Sequence, residues 1–364
     1  MKVCVVGAGN TGSAHAAVLA RAGHAVSLLK TTEMGALEHF ETIRERGGIV
    51  LRDRDGFDAL VPLVCASADP REALAEPVDV ILVLTQTTGL AHAADVVGSA
   101  LKHARMTIVA PGYLGSVFFR RAFGSRCDIF AEGESPAYDA RIEEPGAVRI
   151  CFRNVRDALG FYDPDSVAPG LAIARELVDA YQYSRANVVD AALRNPNLVL
   201  HTLGCVTSAA RIEYSGGDFW MYREGFTPSV WRALERLDAE KLAVIRAFGG
   251  GSSTYLQDCA FRNAPDPDAD PLATFQSYAA SGGPKGPSTL ETRYLTEDVP
   301  NGLGLLCSLG SAVGVPTPTA EAVARLAGAL LGHDFMAQAR TLETLGFHDV
   351  DEFRRFCGID APRQ

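Results

Sequence analysis

The sequence lacks the marks of several protein classes. Its eight cysteines stand singly at Cys4, Cys65, Cys127, Cys151, Cys205, Cys259, Cys307 and Cys357, with no CxxC and no clustered His or Cys at metal-ligand spacing. Neither a disulfide framework nor a metal site is expected, and the thiols read as buried groups of a reducing compartment. Basic residues are in deficit: 34 Lys and Arg against 44 Asp and Glu leave a net charge of −10. That balance disfavours nucleic acid or an anionic membrane as a partner. The longest apolar stretch, 302–316, is interrupted by Gly, Ser and a final Pro-Thr-Pro and is too short for a bilayer. The amino terminus runs into glycine after Val6 without a signal-peptide pattern. A cytoplasmic protein is the expectation.

What is present is ordinary globular material. The chain has 364 residues, 47% apolar and 21% charged, enough for a sizeable core and about two domains. The first half alternates short β-branched runs (2–6, 25–29, 78–84, 106–110, 128–131) with helical patterns (11–22, 87–103, 115–123). Continuous apolar runs such as VDVILVL need cover on both faces, and strand-helix-strand at this rhythm predicts a doubly wound parallel sheet. A further strand at 147–152 is expected on the sheet edge. From about residue 169 the periodicity is helical. Residues 263–287, rich in Pro, Gly and Asp, read as a loop that helices do not cross, and helices at 319–331 and 334–345 close the chain. The expected fold is α/β: a Rossmann-type doubly wound parallel sheet in residues 1–168, followed by an all-helical substrate and catalytic domain in residues 169–364.

GAGNTG at 7–12 follows a strand and opens a helix, the context in which G-x-G-x-x-G signifies a dinucleotide. Gly7 allows the tight turn, Gly9 lets backbone amides approach a pyrophosphate, and Gly12 lets helix and strand pack closely; Asn10 and Thr11 lie at the same helix start. The second strand, AVSLLKTT, ends in Lys30-Thr31-Thr32 where an NAD-type ribose site carries a carboxylate. A cation and hydroxyls suit a 2′-phosphate, so NADP(H) is the preferred cofactor, with NAD(H) kept open by Glu33.

In RNPNLVLHTLG, 194–204, Pro196 fits a first helical turn capped by Asn195, which puts Asn197, His201 and Cys205 on one face. A lone helical histidine is ordinarily structural. Here a second polar group, TRYLTED, supplies Arg293 and Asp298. Proton transfer during reduction of a carbonyl or imine suits an imidazole backed by a carboxylate, and a planar guanidinium suits an α-carboxylate. Helix-end charge pairing is the plain alternative. Trp220, Tyr222 and Trp231 read as packing or lid surface, with an aromatic wall for a substrate as the alternative; His15 reads as a packing residue.

The glycine turn, the Asn-Pro-Asn segment ending in His201, and Arg293 to Asp298 followed by Pro300-Asn301-Gly302-Leu303 resemble the octopine/nopaline dehydrogenase family from Lys2 to about Leu331. That family joins an α-keto acid to an amino acid or amine and reduces the imine with NAD(P)H, using a Rossmann domain, a helical domain and an active site between them. The resemblance implies His201 as acid/base, Asp298 as its orienting carboxylate and Arg293 as the keto-acid clamp. Glu132, Tyr138 and Arg141 match the family's Glu-Thr motif, but Gly133 stands at the Thr and Pro136-Ala137 replaces Leu-Pro, which leaves the amine open. Gln86 is expected on the cofactor side, touching nicotinamide or substrate, or else in a surface loop. Small-molecule substrates are the expected partners, and a homodimer is an open option. Two alternatives remain: a keto-acid reductase of the ketopantoate type, needing a lysine such as Lys241 or Lys285, and a silent NAD(P)-binding protein.

Overall fold

A computed structural model describes residues 1–32, 35–281 and 283–359, which fall into two compact units, Met1–Ser184 and Arg185–Gln364. In the first unit the strands are β1 (Lys2–Val6), β2 (Ala25–Leu29), β3 (Gly48–Arg52), β4 (Asp58–Pro62), β5 (Cys65–Ser67), β6 (Val78–Val83), β7 (Ala104–Val109), β8 (Cys127–Gly133), β9 (Tyr138–Glu144), β10 (Ala147–Arg153), β11 (Asp157–Phe161) and β12 (Tyr181–Ser184). Among the described residues the main sheet has the order β12-β11-β8-β7-β6-β1-β2-β5. Its pairs are parallel except β8 with β11. The apolar run of β6 is central, and Val80, Ile81, Leu82 and Val83 are buried, as a strand covered on both faces requires.

Four expectations change. The strand at 147–152 is not an edge of the main sheet: β10 lies inside a second sheet, β4-β3-β10-β9. That sheet packs beside the helix Asn10–Arg21, and its apolar residues Ile49, Leu51, Val148 and Ile150 join the main core. Its strands mix exposed with buried positions, so they lack the continuous apolar signature. The helix Val167–Leu177 and β12 complete the first unit. The expected division at residue 168 therefore falls at the start of that helix, and the structural boundary follows Ser184.

The second unit is helical, and its helix Asn197–Thr207 is buried along almost its whole length. The loop read at 263–287 contains the helix Pro271–Ser281; its proline occupies the first helical position, where a missing N–H costs nothing. Residues 334–345 form turns rather than a helix, and the last helix is Val350–Phe356. No helix of the described residues is long and apolar enough to cross a membrane, and they contain no group of three or more His, Cys, Asp or Glu able to hold a metal ion.

Candidate active site

In the first unit the glycine turn has the shape that its spacing predicts. Gly7 has φ +116°, and a Cβ there would lie 2.8 Å from the Leu84 carbonyl oxygen. A Cβ on Gly12 would lie 1.8 Å from the Gly7 carbonyl oxygen, so helix and strand approach as closely as they do only without it. A Cβ on Gly9 would meet nothing within 4 Å. The helix that follows has no side-chain cap and no acidic residue in its first turn. Open space beside Gly9 and uncapped N–H groups at a helix start fit a dinucleotide pyrophosphate.

The neighbouring residues divide in their roles. Asn10 is exposed, and its Oδ1 accepts a 2.7 Å hydrogen bond from the Ile142 N–H of β9; Thr11 is half-buried and its carbonyl lies 2.8 Å from His15 Nδ1. Lys30 is buried and donates to the Gly35 carbonyl at 2.8 Å, and burial holds its pKa down. The Thr31 carbonyl accepts from His92 Nε2 at 3.0 Å. Glu33 lies outside the described residues. Gln86 is exposed just before the turn Thr87–Gly89.

Glu132 and Tyr138, expected at the substrate, do structural work. The Glu132 carboxylate is wholly buried and accepts from the Leu114 N–H at 2.7 Å and from the Ser116 N–H and hydroxyl, pinning the turn before the helix Ser116–Phe123. Gly112 belongs to the same contact, since a Cβ there would lie 2.9 Å from that carboxylate. Tyr138 is buried with its ring 4.5 Å from that of His15 and under the Arg153 guanidinium. Arg141 is exposed and donates to the Ala140 carbonyl. A motif read by position alone does not show that these side chains point inward.

The second unit assembles the other group. The His201 helix starts one residue later than expected, with Pro196 and not Asn195 at its N-cap position; Asn195 precedes it, its Oδ1 accepting from the Asn197 N–H at 3.1 Å, and Asn197 itself is half-buried. The preceding Arg194 is fully buried and clamps this end. It donates to Asp190 Oδ1 at 2.6 Å, Asp258 Oδ2 at 2.6 Å and Ser253 Oγ at 2.7 Å. Burial opposes the Asp258 charge, but Arg185, Arg194, Lys241 and Arg262 outweigh it and hold the carboxyl below its ordinary range.

One turn into that helix, His201 Nδ1 lies 2.7 Å from Asp298 Oδ2, both side chains at most 5% exposed. The other ring nitrogen, Nε2, lies 3.0 Å from the Tyr222 hydroxyl. Tyr294 stacks on the imidazole with centroids 3.6 Å apart and planes 13° apart. Cys205 is buried one turn further on, its thiol against Met221 Sδ. Burial pushes that thiol well above its ordinary pKa, with the Asp298 charge adding to the effect.

Arg293 begins the short helix Arg293–Thr296. Its side chain is 55% accessible and 3.6 Å from Glu297. Crowding by neighbours opposes its charge, yet Glu297 and Asp298, with the phenols of Tyr294 and Tyr222, keep it more firmly protonated than a free arginine. An accessible guanidinium that is also closely surrounded is suited to bind a carboxylate. The two candidates for the lysine that a reductase of the ketopantoate type would require are placed otherwise. Lys241 is buried and paired with Asp238 at 2.6 Å, whereas Lys285 is on the surface, 2.9 Å from Asp218 and over the Trp220 ring.

Sequence reasoning does not single out Tyr294, and it reads Tyr222 as packing, lid surface or aromatic wall, not as a partner of His201. Tyr294 lies within TRYLTED itself; the proximity of FWMYREGF to the histidine has no local signal.

Comparison with known proteins follows this division. Residues 3–111 match the family described as ketopantoate reductase PanE/ApbA, and residues 184–331 match the NAD/NADP octopine/nopaline dehydrogenase alpha-helical domain. An opine dehydrogenase from Arthrobacter sp. (strain 1C) is 33% identical over 347 residues, covering 94% of each chain. The chain belongs to the opine dehydrogenase family. It is accordingly an NAD(P)-dependent oxidoreductase of the opine dehydrogenase type, acting on CH–NH bonds. The same fold occurs in a solved octopine dehydrogenase with NADH and L-arginine (TM-score 0.77, 17% identity, 100% of each chain) and in a yersinopine dehydrogenase with NADP+ bound (TM-score 0.73, 13% identity, 98% of each chain). The simple keto-acid reductase and the silent binding protein are not favoured.

Proposed function

We propose that this opine dehydrogenase family member condenses a small 2-keto acid of the pyruvate type with an amino acid or amine and reduces the resulting imine, using NADPH in preference to NADH. The observation that carries the residue assignment is the buried 2.7 Å contact between His201 and Asp298, with Arg293 five positions before that carboxylate. Asp298 holds Nδ1 in the protonated tautomer, so Nε2 handles the proton that leaves or enters the substrate. Arg293 holds the keto-acid carboxylate with its planar fork. Asn197, one helical turn before His201, and Gln86 are assigned to substrate contact. Glu132 in β8 and Tyr138 in β9 support this reading only indirectly, Glu132 by pinning the turn at Leu114 and Ser116 and Tyr138 by packing on His15.

The turn Gly7, Gly9, Asn10, Thr11 and Gly12 would hold the dinucleotide, which when bound supplies the hydride. The preference for NADPH rests on Lys30 and Thr31 at the end of β2, where a ribose-binding carboxylate would otherwise stand. The eight free thiols suit a cytoplasmic location. With pyruvate and a panel of amino acids and amines, the purified protein should oxidise NADPH only when an amine is present. Oxidation that ignores the amine would refute the condensation, and a higher kcat/KM with NADH would refute the cofactor preference.

A further inference from the structure

Asp298 occupies one nitrogen of His201, and Tyr294 covers a face of its ring. Proton exchange is left to Nε2, and the Tyr222 hydroxyl stands at that nitrogen, 3.0 Å away. We propose that Tyr222 is a catalytic residue: its phenol relays the proton between His201 and the substrate. The inference deepens the reading of His201 given above and rests on it.

Three further observations support the relay. Tyr222 lies in a π-helical turn, Met221–Gly225, and a second such turn, Val299–Leu303, starts immediately after Asp298; these rare turns concentrate at functional sites. The Tyr222 ring is fixed edge-on against Tyr278, with centroids 5.7 Å apart at 89°, so the hydroxyl is aimed and does not swing freely. The charge of the accessible Arg293 guanidinium, the group assigned to the keto acid, couples to the Tyr222 phenol, and a positive charge near a phenol eases transient loss of its proton.

The step balances without an oxidant. At the carbinolamine the phenol proton passes to the departing hydroxyl oxygen as the C–O bond breaks. Water leaves, and the nitrogen lone pair forms the C=N bond of an iminium. The phenolate takes the Nε2 proton of the imidazolium, so His201 ends neutral and Asp298 keeps its hydrogen bond to Nδ1–H. One positive charge moves from imidazole to iminium.

The test is Tyr222→Phe in the full-length protein, assayed with NADPH, pyruvate and the best amine of the panel. Expected are a kcat lowered roughly 100-fold, KM values within about threefold of the parent, and unchanged NADPH binding by fluorescence. The solvent deuterium isotope effect on kcat should rise while the effect of deuterated cofactor falls towards one. Wild-type kcat, a loss carried by KM, or a loss with unchanged isotope effects would each overturn the relay and leave the condensation reading standing. Failure of the parent enzyme to show amine-dependent oxidation would sink both. Should the variant fold poorly, 3-fluorotyrosine at position 222 offers a second test. Its more acidic phenol should move the alkaline limb of the kcat profile to lower pH, and an unmoved limb would overturn the proposal.

Discussion

His201 and Asp298 are 97 positions apart in the chain, yet Nδ1 and Oδ2 are 2.7 Å apart in a site that admits almost no solvent. An imidazole held this way has one tautomer and one orientation. Asp298→Asn keeps the size of the side chain but allows the amide to present either its oxygen or its NH2 to the ring. We expect kcat to fall roughly 100- to 10,000-fold, the range of a lost general acid–base, with little change in NADPH affinity. Steady-state kinetics beside a cofactor titration would check it; near-normal turnover would remove Asp298 from the mechanism.

Arg293→Lys tests the clamp. The charge stays and the planar fork is lost, so one charge-assisted hydrogen bond is forfeited, about 1.5–3 kcal/mol. The expected result is a KM for the keto acid raised by roughly tenfold or more, with the amine KM much less affected. An equal rise for both substrates would contradict the assignment.

The glycine turn makes a paired prediction. Gly12→Ala drives a Cβ into the Gly7 carbonyl, so both folding stability and cofactor binding should suffer, as seen in thermal melts. Gly9→Ala meets no protein atom within 4 Å. That variant should melt close to the parent but bind NADPH more weakly, because the added methyl stands where the pyrophosphate must approach.

His15 gives a pH dependence. Burial lowers its pKa to about 4 from an ordinary 6.5, against the pull of the Thr11 carbonyl. Between those values the unfolded chain binds the proton and the folded chain does not, so stability falls as pH drops from about 6.5 to about 4. The His15 contribution to that loss is at most about 3 kcal/mol. His15→Gln should flatten this part of the stability profile in urea denaturation at several pH values, and an unchanged slope would show that other groups control it.

Asp258→Asn probes the anchor of the His201 helix. It leaves buried Arg194 with Asp190 as its remaining carboxylate and partly buried Arg185 against a neutral amide, and breaking one side of a buried pair costs up to about 3–5 kcal/mol. A loss of less than about 1 kcal/mol by denaturant titration would show that the cluster is locally redundant.

Elements whose signals are local are legible in the residues alone. GAGNTG after an apolar strand requires a particular turn, since glycine alone tolerates the φ of Gly7 and the approach at Gly12. Continuous apolar runs fixed the central strands, and helical spacing placed Asn197, His201 and Cys205 on one face of a helix. Tertiary structure decided everything that depends on partners distant in the chain. It turned Glu132 inward to hold Leu114 and Ser116, moved the strand at 147–152 into a separate sheet, and surrounded His201 with Tyr222, Tyr294 and Asp298. Periodicity reports which face of an element is buried. It cannot report which side chain from another element fills the space opposite, because that choice belongs to packing of the whole unit.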